Sequence, residues 1–300
     1  MNRRGFTMIE LLVALVLLGL VSAAIYRVLV NNQRLYMAQT QRIDLSQNIR
    51  AAATILPAEF RELDAFDGDI AAMTATSIDI RAMRWLSFVC VPPVLDGNNA
   101  GRQMIIRGSA IGTPMFFGSR YIDETRDSLL IYWDGNQTTR LDDYYVLARL
   151  AATPGNQQCP AVGVIPAQPG TRILFDGNFL PGTNVAGAIT TGAPVRGFER
   201  VRYGLFQPSG DTSWYVGFQP LIPSGQPMQP LVGPVLPNGL TFQYFNAAGA
   251  VTAIRTQVAR IDITVRARTQ AAVRSGGQAP QRAIVDSITT SVALRNNRRF

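Results

Sequence analysis

The chain has 300 residues, enough for one large domain or two small ones beyond an anchor, and enough to bury a real core. Its 28 basic residues against 20 acidic ones give a formal charge of +8, and every basic side chain is arginine because no lysine is present. There is no histidine, which removes the commonest general base and metal ligand, and with it catalytic triads and histidine-held zinc or haem. No enzyme and no cofactor are expected. A basic balance can mark nucleic acid or anionic lipid as a partner, but these arginines are scattered, and a solvated surface is the expectation.

In chain order, two arginines (Arg3, Arg4) precede Gly5-Phe6-Thr7-Met8-Ile9-Glu10 and an apolar run. No residue from Leu11 to Tyr26 carries a charge, and Arg27 ends the run. From Phe6 to Tyr26 there are 21 residues, about 32 Å of helix, which matches a hydrocarbon layer of roughly 30 Å. Glu10 stands one turn inside this segment. An acid at the centre of a membrane helix costs on the order of 3 kcal/mol, so Glu10 calls for a partner.

Gly5-Phe6-Thr7-Met8-Ile9-Glu10 with its apolar run resembles the class III signal of type IV prepilins and secretion pseudopilins. The resemblance implies a dedicated peptidase that cuts between Gly5 and Phe6 and methylates the new terminus. Gly5 is the processing residue because a larger side chain would obstruct the cut. Phe6 becomes first and Glu10 fifth, and loss of Arg3 and Arg4 takes the charge from +8 to +6. The missing partner is then the Phe6 amine of a neighbouring subunit, while Leu11, Leu12 and Leu15 pack against sister helices. Three other readings compete. Leu11–Leu20 with Val21-Ser22-Ala23 could be a secretory signal and its cleavage site, Arg3-Arg4-Gly5-Phe6 resembles a twin-arginine signal, and the segment could be a plain anchor. Glu10 argues against the first two, and no cysteine near the start allows a lipoprotein anchor.

Beyond Arg27, Leu35, Ala38, Leu45, Ile49, Ala52, Leu56, Phe60 and Leu63 fall mostly three and four apart with polar residues between, an amphipathic helix pattern. Phe6 to Leu56 would form one rod of about 77 Å, ended or kinked at Pro57, which could also open a short further turn. The outer half should pack on the chain's own globular domain.

From Ser77 the period becomes two. Ser77–Ala82, Met104–Arg107, Ser128–Trp133 and Tyr144–Ala148 read as strands, separated by turns at Asp96-Gly97-Asn98-Asn99 and Asp134-Gly135-Asn136. The stretches Ala151–Gly170 and Leu180–Pro194, rich in glycine, proline and alanine, read as loops. Phe198–Phe206 and Trp214–Phe218 flank Pro208-Ser209-Gly210-Asp211 as a hairpin. Leu240–Phe245, a turn at Asn246–Gly249, Val258–Arg266 and Ile284–Leu294 continue the alternation. An antiparallel sheet with the long helix on one face, an α+β fold, is the consistent answer. These segments, with Gly239–Phe245 and the closing Val292–Asn296, resemble PilW-like minor pilins and the J pseudopilin of type II secretion, and the length favours the PilW-like side.

Cys90 and Cys159 cannot hold a four-ligand metal site alone. In an exported chain they form one disulfide or stay as two buried thiols, the disulfide being expected. Asp64, Asp67 and Asp69 could offer calcium oxygens, but the twelve-residue calcium loop is missing, and a solvated turn is expected. The adjacent Asp142 and Asp143 point to opposite faces of a strand, which argues against paired acid–base work. Arg200, Arg202, Tyr203, Trp214 and Tyr215 could stack nucleic acid, although alternating aromatics more often fill a core.

The expected organisation is a cleaved leader (1–5), a membrane and polymerisation helix (6–30), its amphipathic continuation (31–64) and an extracytoplasmic β-rich domain (65–300). The expected function is that of a minor pilin or pseudopilin, a structural subunit of a type IV pilus (fimbrium) or type II secretion pseudopilus. Its partners would be other pilin subunits, prepilin peptidase, an inner-membrane assembly platform and membrane lipid. It would sit as a single-pass inner-membrane protein before joining the filament. The alternative is a membrane-anchored or exported binding protein of the adhesin type.

Overall fold

Helical spacing without proline or glycine from residue 20 to residue 56 produces one continuous helix, α1 (Met8–Arg61). The structure, a computed structural model, describes residues 7–95, 102–108, 113, 115–135, 138–139, 143–152, 154–177, 189–273 and 282–295. Pro57 lies within α1 and does not end it, contrary to the expectation from sequence. A proline in a helix interior costs about 3 kcal/mol. Leu56 and Phe60 on either side of it are fully buried, and each contributes about 1.5–3 kcal/mol by that burial. The Arg61 carbonyl at the helix end accepts the Arg295 amide at 2.9 Å, so the chain's last described residues close the helix.

The described residues contain thirteen strands: β1 (Ile70–Met73), β2 (Ser77–Leu95), β3 (Arg102–Arg107), β4 (Phe117–Gly118), β5 (Asp127–Trp133), β6 (Tyr144–Leu150), β7 (Gly155–Cys159), β8 (Gln168–Gly177), β9 (Pro194–Phe206), β10 (Trp214–Pro220), β11 (Gln229–Phe245), β12 (Arg260–Arg268) and β13 (Val285–Ala293). The fold is α+β, with α1 on an antiparallel sheet. The hairpin around Pro208–Asp211 forms as β9 and β10, with Phe206 opposite Tyr215. Two strands, β7 and the start of β8, lie in Ala151–Gly170 where loops were expected. They pair with each other from Gly155–Arg172 to Cys159–Gln168, so backbone pairing overrides a composition poor in strand formers. Within the other expected loop, residues 180–188 lie outside the described set, as do 96–99 and Asn136 of the expected turns.

One core lies under α1. The strand order β1-β2-β9-β10-β11-β12-β13 follows from the pairings. β12 shows the reason for the layer: Ile261, Ile263, Val265 and Ala267 are buried and the residues between them are not. Phe60 of α1 meets Tyr203 and Phe242 edge-on, each at a centroid distance of 5.8 Å.

The second core was not anticipated. β2, β3, β8, β6, β5 and β9 pair in that order, and β9 pairs back onto β2, which closes a ring of six strands. Its interior holds Trp85, Val89, Met104, Ile106, Leu129, Ile131, Ile173, Phe175 and Val195. The ring and the helix-bearing layer share β2 and β9. Along β9 the alternate residues Val195, Gly197, Glu199, Val201 and Tyr203 are all buried, running from one core into the other.

The seam between the cores is polar. In β2, Met83 pairs with Phe198 but Trp85 with Gly197, so Arg84 is one extra residue. A bulge of this kind bends a strand and re-aims a side chain. It lets the buried set pass from Ile78, Ile80 and Ala82 to Trp85 and Val89. The Arg84 guanidinium sits on Glu59 of α1 (2.9 and 3.0 Å) and on Glu199 of β9 (3.0 Å). Arg120 then bridges Glu199 to Asp127, and the Trp85 indole N–H donates to Asp127 at 3.1 Å. Gly197 is required beneath Trp85, because a Cβ there would lie 1.9 Å from the indole.

Removing one partner of a buried ion pair strands the others, at a cost of about 3–5 kcal/mol. Arg84→Met should therefore lower the unfolding free energy of the full-length protein in detergent by about that amount, whereas the exposed Arg126→Gln should change it by less than about 0.5 kcal/mol. Urea titration at pH 7 measures both.

Candidate assembly site on the N-terminal helix

Thr7 opens α1 and stabilises its first turn. Its amide and hydroxyl both donate to Glu10 Oε2 at 3.0 Å, and the Glu10 amide donates to Thr7 Oγ1 at 3.3 Å. This is a capping box, in which two otherwise unpaired donors are satisfied reciprocally. The helix dipole favours the carboxylate at this end as well. Glu10 therefore has a partner within its own chain, and the sequence reading missed it. The signal was legible as Thr7-Met8-Ile9-Glu10 before an apolar run. Oε1 has no hydrogen-bond partner among the described residues, so one face of the carboxylate is open. Gly5 and Phe6, the expected processing residues, lie outside the described residues.

Leu11, Leu12 and Leu15 are 56, 61 and 59 % exposed. Among the described residues, the rest of the run to Leu29 is likewise exposed, and none of it bonds to the sheet domain. The first fully buried side chain of α1 is Leu45, and among the described residues the first hydrogen bond to the sheet domain is that of Gln41, which accepts the Ala271 amide at 3.2 Å. Residues 8–40 thus stand free as a rod of roughly 50 Å. The rod is long and apolar enough to cross a membrane. An uncovered cylinder of leucine and valine with one carboxylate at its head can do two things chemically: dissolve in lipid or pack on like helices, and accept one positive group.

The remaining candidates separate from this site and from each other. Cys90 and Cys159 form a disulfide with Cα atoms 5.6 Å apart, tying β7 to β2. Asp64 and Asp69 are buried, unlike the solvated turn expected. The Asp64 carboxylate accepts the amides of Phe66 and Asp67. Asp69 accepts the Asp64 amide at 2.9 Å and lies 3.5 Å from Arg196. Burial pushes both carboxyls up from their usual range. Among the described residues no three acidic or cysteine side chains converge as a metal would need. Asp143 accepts the Tyr132 hydroxyl at 2.6 Å, while Asp142 lies outside the described residues. The arginine and aromatic set divides: Tyr203 is in the core, Arg202 is paired with Asp79, and the Tyr215 hydroxyl bonds Asp211. Tyr203 thus faces the core, away from Arg200 and Arg202 on the same strand.

Residues 1–26 match a model of the prokaryotic N-terminal methylation motif. No curated protein and no solved structure matches the chain. The motif supports a type IV pilin-like protein processed by prepilin peptidase. Together with the free apolar helix it supports membrane anchoring with the C-terminal domain outside the cell's inner compartment.

The disulfide closes a loop of 69 residues, worth about 4 kcal/mol on the chain-entropy account. The Cys90→Ser/Cys159→Ser double variant should lose about that much stability in urea, and a reductant should have no further effect on it.

Proposed function

We propose that the protein is a minor pilin, PilW-like rather than of the J pseudopilin type, and enters its filament through its first helix. In this reading the peptidase removes residues 1–5, and Phe6 provides the charged amine. Residues 6–30 are the membrane and polymerisation helix, residues 31–64 its continuation, and residues 65–300 the domain displayed outside. The observation that carries it is a carboxylate at the head of an apolar rod that the chain itself leaves uncovered. Thr7 occupies one oxygen of Glu10. The other is free to accept the Phe6 amine of the neighbouring subunit, in surroundings where an uncompensated charge is expensive. Leu11, Leu12 and Leu15 then exchange lipid for sister helices.

An acid inside the apolar layer costs on the order of 3 kcal/mol unless paired, and each 1.4 kcal/mol is about tenfold in an equilibrium. Glu10→Ala should therefore be cut normally yet enter sheared filaments at least about tenfold less than the wild type, as read by immunoblot of filament and membrane fractions. Wild-type incorporation would refute the pairing. Intact mass and N-terminal sequencing test the processing: a methylated Phe6 start is expected, a start at Ala24 would indicate an ordinary export signal, and an uncut Met1 a plain anchor. Gly5→Leu should accumulate as the uncut precursor.

A further inference from the structure

β9 changes neighbours along one edge, pairing through residues 195–199 with β5 and through residues 201–206 with β10. At this change, on the face turned away from α1, lies a groove of about 720 Å³, within the range of small-molecule sites. Its walls include Arg81, Arg149, Arg200, Tyr145 and Phe198, with Asp176 as the acid among them.

The strand register makes this groove electrostatically unusual. Arg81 of β2 stands directly opposite Arg200 of β9, and like charges in that relation repel. The same strands show how the fold resolves other charge pairs. Asp127 stands opposite Glu199 on the inner face, and Arg120 bridges the two. Arg202 stands opposite Asp79 and holds it at 2.6 and 2.7 Å. No carboxylate among the described residues bridges Arg81 and Arg200. Arg81 reaches Asp69 only at 3.9 Å, and Asp69 is shared with Arg196. Arg81 also donates to the Asp67 carbonyl at 3.1 Å and lies over the buried Phe198 ring, 5.6 Å from its centroid. Asp64 is turned to backbone amides. Arg149 is in register with Asp176 without an ion pair between them, and Arg200 has none among the described residues.

We propose that this groove binds a small anionic ligand, its carboxylate or phosphate oxygens between Arg81 and Arg200 and its apolar or ring-shaped body against the half-buried Tyr145. Guanidinium groups suit such oxyanions because their planar fork matches two oxygens at once. An aromatic wall suits a sugar ring or similar body. The ligand supplies the bridge that Arg120 supplies on the inner face. This site is independent of the assembly helix, more than half of which stands free of the sheet domain.

The test uses full-length protein in detergent at low ionic strength, titrated calorimetrically with glucuronate, glucose 6-phosphate, inorganic phosphate and neutral glucose. Saturable binding of one or more of the anions and none of glucose is expected, and the anion that binds best identifies carboxylate or phosphate as the natural group. Arg200→Gln should weaken that binding at least tenfold, whereas Arg266→Gln, which removes equal charge from β12, should leave it unchanged. Without ligand, Arg200→Gln should raise Tm by about 1–3 °C, since it removes a repulsion. Four results would overturn the proposal: no saturable anion binding, equal weakening by both variants, a lowered Tm for Arg200→Gln, or binding confined to a single-stranded oligonucleotide.

Discussion

A single guanidinium holds the two halves of this domain in register. Arg84 lies between Glu59 of the helix and Glu199 of β9, at the level where one hydrophobic core gives way to the other. Only arginine presents donors in a flat fork that can engage two carboxylates from different elements. Its position follows from a bulge, and the bulge also keeps the buried face of β2 continuous across the seam. Charge and backbone geometry here are parts of one device. Take away the extra residue and Trp85 and Val89 would turn from the ring's interior to its exterior.

Because β2 and β9 are common to both cores, neither half is an appendage. Among the described residues the ring carries no helix of its own, and it closes by strand pairing, which leaves few free edges. Trp85 fills it next to Gly197, stacking on Phe116 at 5.8 Å. The helix-bearing layer buries its apolar residues against α1. Polar side chains lie between the two, where an apolar seam could slide. This arrangement makes the helix's orientation on the sheet specific, a role for which buried charges are well suited.

Much of this was legible in the sequence, and the parts that were not share a cause. Alternation identified strands such as Val258–Arg266 because one face of each is buried and the other wet, and helical spacing from Leu45 to Phe60 identified the packed face of α1. The ring was hidden because its closure depends on which strands pair, and pairing at long separation leaves no periodic trace. Glu59, Arg84, Arg120, Asp127 and Glu199 look like surface residues when read singly, since charged side chains are normally exposed. Pro57 misled through its intrinsic preference, which the burial of its neighbours outweighs. β7 was concealed by glycine, asparagine and glutamine. At the head of α1, Glu10 stood out at once by its charge, whereas Thr7, half of the same capping box, is an unremarkable residue type and was overlooked.

The late start of burial along α1 has a mechanical consequence. Among the described residues none of 8–40 is buried or bonded to the sheet domain, so in the proposed assembly their surroundings would be exchanged, fatty acyl chains for neighbouring protein, without breaking a hydrogen bond to that domain. On that proposal the displayed portion would travel from one setting to the other as finished cargo on a stiff handle, and extraction would do work only against the bilayer.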